Sequence, residues 1–120
     1  MIKVYIAGPY GKRAGATDQA QQVNMTKAAL VGVRLFRRGF NPFVPHLYRM
    51  VDIHMPGESH EDEWLKICME WVKVCDCVLR IPGPSAGADQ EVELAAAEGI
   101  PIFNDIDLLC EYYEADKSKR

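Results

Sequence analysis

The chain has 120 residues, 48% hydrophobic and 26% charged, with 14 Lys+Arg against 17 Asp+Glu and a formal net charge of −3. A single domain over residues 1–120 is expected, with its site on short loops, because a chain this size buries only about 65% of the surface its unfolded form exposes. The charge balance argues against bulk attraction to duplex nucleic acid. No apolar run nears the roughly 20 residues of a membrane span, and the Met1 start runs into strand-like residues, not a signal peptide, so a cytoplasmic protein is expected.

Strand-length apolar runs alternate with helix-length amphipathic stretches, the pattern of βαβ units on a mainly parallel sheet. Lys3 to Ala7 reads as the first strand; it ends at Gly8-Pro9-Tyr10-Gly11, and a polar loop with Lys12, Arg13 and Gly15 follows. A helix is predicted from about Thr17 to Arg38, with Ala20, Val23, Ala28, Val31 and Leu35 inward and Gln19, Gln22, Thr26, Lys27, Arg34 and Arg37 toward water. Gly39 suits the left-handed position past a helix end. Phe40 to Val44 is a second strand, kept at the sheet edge by Pro42. Pro45 to His60 has no clear period and is predicted as one long loop, functional or mobile. Ser59 with Asp62 resembles a capping box before a helix from about Glu61 to Val74, striped by Trp64, Cys68, Trp71, Val72 and Cys75. Cys77 to Ile81 is the third strand, Gly83 to Gly87 a tight turn, and Ala88 to Glu98 a helix closed by Gly99. Ile100 to Phe103 is the fourth strand, and Ile106, Leu109, Cys110 and Tyr113 stripe a last helix before a charged tail.

The four cysteines have no metal-ligand spacing and read as small buried hydrophobes. In an open parallel sheet, ligands sit beyond the carboxyl ends of the strands, where the winding reverses. The loops Gly8 to Gly15 and Gly83 to Gly87 lie at such ends and face each other if the first and third strands are neighbours. Gly83-Pro-Ser-Ala-Gly87 offers bare amides, the Ser85 hydroxyl and a positive helix terminus, which suits an anion such as phosphate; it equally suits a turn that needs glycine. Asp89 and Glu93 complement the helix dipole. Glu91, one turn past Gly87, leans back toward the cleft, where the dipole is expected to keep it ionised, as a nucleophile or a stabiliser of developing positive charge must be. His46 lies near the cleft and suits a contact to base or phosphate, help to a leaving group, or the capping of backbone carbonyls. His54 and His60 read as exposed loop residues. Tyr10 stacks on a base or closes its loop, and Lys12 and Arg13 neutralise a phosphate or simply face water.

Tyr5-Ile-Ala-Gly-Pro-Tyr10, Cys75-Asp76 before the third strand and Ser85-x-Gly87-x-x-x-Glu91 together resemble the nucleoside 2-deoxyribosyltransferase superfamily. The likeness is greatest to a short branch with IAGPY and SxGAxxE motifs, and it covers nearly the whole chain. It implies a Rossmann-like or flavodoxin-like three-layer α/β domain with a mainly parallel sheet of four to five strands. It also implies cleavage or transfer of the N-glycosidic bond of a (deoxy)nucleoside or nucleoside 5′-monophosphate. Glu91 matches the family's nucleophile and Tyr5 the tyrosine that orients it. Ser85 and Gly87 match residues that hold the 5′-phosphate, with Gly8, Pro9 and Tyr10 on the facing loop. The implied partner is a small nucleoside or nucleotide, with no metal or redox cofactor, and the implied assembly is a homodimer or larger homo-oligomer whose neighbour helps cover the site. One position departs: the family commonly has an aspartate where this chain has Cys68, and a thiol is a weak donor and acceptor. Glu70 and Asp62 do not share its helical face. The alternative is therefore a non-catalytic nucleotide-binding or sensing module of the same fold, and a third reading is an unrelated α/β interaction domain.

Overall fold

The computed structural model describes residues 1–10, 17–57 and 60–118, with side chains as far as 114. Its sheet has four parallel strands, β1 (Lys3–Ala7), β2 (Asn41–Phe43), β3 (Cys77–Arg80) and β4 (Ile102–Phe103), in the order β2-β1-β3-β4. Between them run α1 (Asp18–Arg37), a 3₁₀ turn at Pro45–Tyr48 that continues into α2 (Arg49–Asp52), α3 (Glu61–Val74) and α4 (Ala86–Ala97); α5 (Ile106–Ser118) follows β4. This is the expected three-layer α/β fold, with four strands.

After the exposed Lys3, β1 is apolar and buried from Val4 to Ala7 because helices cover both faces of the sheet. Alternate residues go to opposite sides. Val4 and Ile6 pack with Ala28 and Leu35 of α1 and with Leu109 and Cys110 of α5. Tyr5 and Ala7 face the other way, against Cys68 and Val72 of α3 and Ala88 and Ala95 of α4. This period of two puts Tyr5 on the same side of the sheet as Glu91. The predicted stripe Ile106, Leu109, Cys110 and Tyr113 is buried throughout. All four cysteines are free and buried.

Pro42 sits in β2, which is an edge strand as predicted, and Gly39 takes a φ of 89° just past α1. Other expectations shift. The inward face of α1 is Gln21, Ala28, Gly32 and Leu35, while Val23 is exposed. The helix turns this way because Gly32 approaches the sheet, where an added Cβ would stand 3.1 Å from Val44. The segment from Pro45 to His60 is not one long loop, since it holds the 3₁₀ turn and α2. Ser59 lies outside the described residues; α3 begins after His60, whose side chain makes no capping bond. α4 begins two residues earlier than predicted, because Ser85 is its N-cap and accepts the Ala88 N–H at 3.1 Å.

Candidate functional site

The winding reverses between β1 and β3: α1 leads outward to β2, and the chain then crosses back over β1 to reach β3. This is the position where open α/β sheets form ligand crevices. The loops at the ends of β1 and β3 do meet there, but in direct contact. A Cβ on Gly8 would fall 2.2 Å from Ile81 Cγ1, and one on Gly83 would fall 2.6 Å from Pro9 Cγ. Gly83 also has φ +121°, a conformation that side chains rarely adopt. Arg80, at the end of β3, fixes the second loop by donating to the Gly83 carbonyl at 2.8 Å and to Asp89 of α4 at 3.3 Å.

Beside this contact a cleft of about 470 Å³ opens. Its walls are Gly8 and Tyr10 after β1, His46, Tyr48 and Arg49 after β2, one face of α3, and Ser85, Gly87 and Glu91 of α4. Glu91 and Cys68 are both buried at its inner end, above a Tyr5 that is fully buried. The Tyr5 hydroxyl donates to Glu91 Oε2, joining two residues 86 positions apart. The Cys68 thiol meets the same hydroxyl.

Burial dominates the protonation of all three groups. It raises the Glu91 carboxyl to about 7, outweighing the hydrogen bond from Tyr5 and the charge of Arg80, which pull it down. Burial therefore works against the ionisation expected of Glu91 from the helix dipole. Burial and the neighbouring Glu91 charge raise Tyr5, which remains a donor, and burial raises Cys68 to about 11. The Tyr5 ring stacks on Phe43 at 5.6 Å, and Phe43 stacks on Trp71 at 4.7 Å. This aromatic row holds the hydroxyl in place from behind.

Tyr10 meets His46 edge to face at 5.5 Å. Burial raises the Tyr10 phenol despite its hydrogen bond with Arg49, which itself donates to Gln21 at 2.8 Å. The Trp64 indole donates to Asp52 at 2.6 Å, so α3 is tied to α2 across the rim.

Of the predicted site residues, Glu91, Gly8, Tyr10, His46, Ser85 and Gly87 line this one cleft and Tyr5 lies beneath it. Pro9 packs on Gly83 and is not among the lining residues. Asp76 sits at the opposite end of the sheet, where it accepts the Lys3 N–H at 2.7 Å. His54 is exposed as expected, but His60 is partly buried and lines the cleft. Lys12 and Arg13 lie outside the described residues. Sequence reasoning missed Asp18, Gln21, Arg49, Asp52 and Glu61, all on the cleft wall. Glu61 was within reach: it stands seven residues before Cys68, on the same helical face as Trp64 and Leu65.

The architecture is an open parallel α/β sheet with a buried, tyrosine-bonded glutamate in the crevice at its switch point. The chain belongs to the family described as a domain of unknown function, DUF7768, whose model matches residues 2–105. Two solved structures are similar in fold. One is a 2-desoxiribosyltransferase from Leishmania mexicana, 19% identical with a TM-score of 0.56, the match covering 85% of this chain and 62% of that one. The other is a 2-deoxyribosyltransferase from the psychrotolerant bacterium Bacillus psychrosaccharolyticus, 22% identical with a TM-score of 0.53, covering 87% and 75%. The chain therefore spans less than two thirds of the length of the Leishmania protein. No curated protein matches the chain. Among the described residues no helix is long and apolar enough to cross a membrane.

Proposed function

We propose that this protein cleaves or transfers the N-glycosidic bond of a (deoxy)nucleoside or nucleoside 5′-monophosphate, with Glu91 as nucleophile. The observation that carries the reading is the Glu91 carboxylate at the inner end of the cleft, bonded by the Tyr5 hydroxyl. The fold likeness to two deoxyribosyltransferases supports it. In the reaction, an ionised Glu91 oxygen forms a bond to C1′ as the C1′–N bond breaks. The base leaves with that electron pair and takes up a proton. Water or a second base then attacks C1′ and releases the carboxylate. Tyr5 holds the attacking carboxylate in one orientation. Ser85, Gly87 and the α4 terminus receive a phosphate where the substrate carries one. Cys68, with its thiol raised to about 11, is a poor proton donor to the departing base at neutral pH.

The experiment is base release, followed by chromatography, from a panel of deoxynucleosides and their monophosphates. Wild type should release base and Glu91→Gln should lose about a hundredfold or more. Release unchanged in the variant removes Glu91 from the mechanism. A second reading, a nucleotide-binding sensor, is favoured by the single observation that a thiol faces Tyr5 and Glu91 where a carboxylate would serve catalysis. It predicts thermal stabilisation by a nucleotide with no base released. The reading includes a second copy over the cleft mouth, supported by the exposed Leu47, Met50, Val51 and Ile53 on the segment beside it.

A further inference from the structure

Gln21 is only 6% exposed, yet it stands on the cleft wall with half of its carboxamide unanswered. Its Oε1 accepts from the Arg49 guanidinium at 2.8 Å. That bond orients the amide: a guanidinium has donors only, so the carbonyl oxygen faces Arg49 and the NH₂ group points away from it. Among the described residues Nε2 makes no hydrogen bond. The unpaired polar atoms sealed from solvent belong to His46 and His60, so the Gln21 Nε2 keeps accessible surface at the cleft. Buried amides are ordinarily paired, and N–H donors left open on a cleft wall point to an acceptor on a ligand.

The position of Gln21 decides which part of a ligand it meets. α1 packs on the Val4 and Ile6 side of β1, whereas Glu91 bonds to Tyr5 on the opposite side. The cleft therefore crosses the end of β1, from α4 in one layer to the first turn of α1 in the other. A nucleoside with C1′ at Glu91 and its 5′ end toward Ser85 and Gly87 has one large substituent left to make that crossing, the base. Every nucleobase carries carbonyl oxygens or ring nitrogens at its edge that accept an N–H.

We propose that Gln21 is a base-binding residue that donates a carboxamide N–H to an acceptor atom of the nucleobase. Resting on the glycosidic reading above, this contact assigns the leaving group to the Gln21–Arg49 side of the cleft. As the C1′–N bond breaks, its electron pair passes to the base, and a donor already in place at the base edge stabilises that charge. Gln21 keeps its own proton, and the base takes one from solvent.

The test follows the side-chain ¹⁵N–H resonances of Gln21 in Glu91→Gln, which holds a substrate without cleaving it. The ligands are the four common 2′-deoxynucleosides, their 5′-monophosphates, and 2-deoxyribose 5-phosphate, which has no base. The resonances should move with at least one ligand that carries a base and not with the baseless sugar phosphate. Base release by Gln21→Met should then fall about ten- to a hundredfold, and Gln21→Glu should fall at least as far, because it keeps the oxygen that Arg49 needs but loses the N–H donors. A merely structural role, holding Arg49 in place, would leave Gln21→Glu as active as wild type. Such activity, resonances that move equally with 2-deoxyribose 5-phosphate, or resonances that no ligand moves would each overturn the base contact, and base release by wild type would still uphold the glycosidic reading. Resonances that answer only to the base while wild type releases none would overturn the glycosidic reading and keep the contact.

Discussion

Glu91 and His46 share one cleft and are shifted in opposite senses, which gives a signature in stability. Glu91 is raised from 4.5 to about 7, so between those values the folded chain keeps a proton that the unfolded chain releases, and stability falls as pH rises across that window. His46 is lowered from 6.5 to about 4, so the unfolded chain binds a proton that the folded chain does not, and stability rises with pH across that window. Each is worth up to about 3 kcal/mol, and the two largely cancel in wild type between about pH 4.5 and 6.5. Denaturant titrations should show Glu91→Gln gaining stability from pH 4 to 6.5 and His46→Phe losing it from pH 4.5 to 7. Parallel curves for the two variants would refute these protonation states. Cys68 supplies a separate expectation: Cys68→Asp should raise base release at least about tenfold, as a carboxyl group can deliver a proton where the thiol does not. An unchanged rate would show that the departing base is protonated from elsewhere. At this scale the sequence reported residue types and not environments. Glu91 was recognisable from its SxGAxxE setting, yet its burial, which sets its protonation, depends on α3 and β1 closing over it.

Among the elements, the two glycine loops carry the clearest mechanical prediction. Gly8→Ala must displace Ile81, and Gly83→Ala must displace Pro9 while occupying φ +121°. Each should cost about 1–3 kcal/mol by urea unfolding, with Gly83→Ala the worse. Gly39→Ala, which has an unfavourable φ but open space around it, separates the conformational part of that cost from the steric part. The glycines were legible as turn signals, but the contact between their loops was not, because it arises from strand neighbours 73 residues apart in the chain. The same limit hid α2. A four-residue helix shows no complete hydrophobic period, so Arg49–Asp52 passed for loop although its side chains reach the cleft. Gln21 escaped notice for a related reason: the apolar pattern of α1 placed Val23 inward, and the close approach at Gly32 rotated the helix instead.

For the molecule as a whole, the order β2-β1-β3-β4 brings the β1 and β3 loops, the α3 face and the α4 terminus to one point. The alternation of apolar and amphipathic runs sufficed for the fold class, and Pro42 for the edge strand; the order of the remaining strands came only from the structure. The net charge of −3 is compatible with binding one phosphate, because a helix terminus acts locally. A cleft this open at its rim also fits closure by a second copy, and light scattering at micromolar concentration should report a dimer or larger; a monomer at all concentrations would remove that part of the account. The most direct measurement is intact and peptide mass after incubation with 2′-deoxy-2′-fluoroarabinosyl nucleosides, whose fluorine slows release of a glycosyl-enzyme. The account predicts a sugar adduct on the peptide bearing Glu91, absent in Glu91→Gln. Base release that persists in Glu91→Gln, with no adduct in wild type, would contradict it.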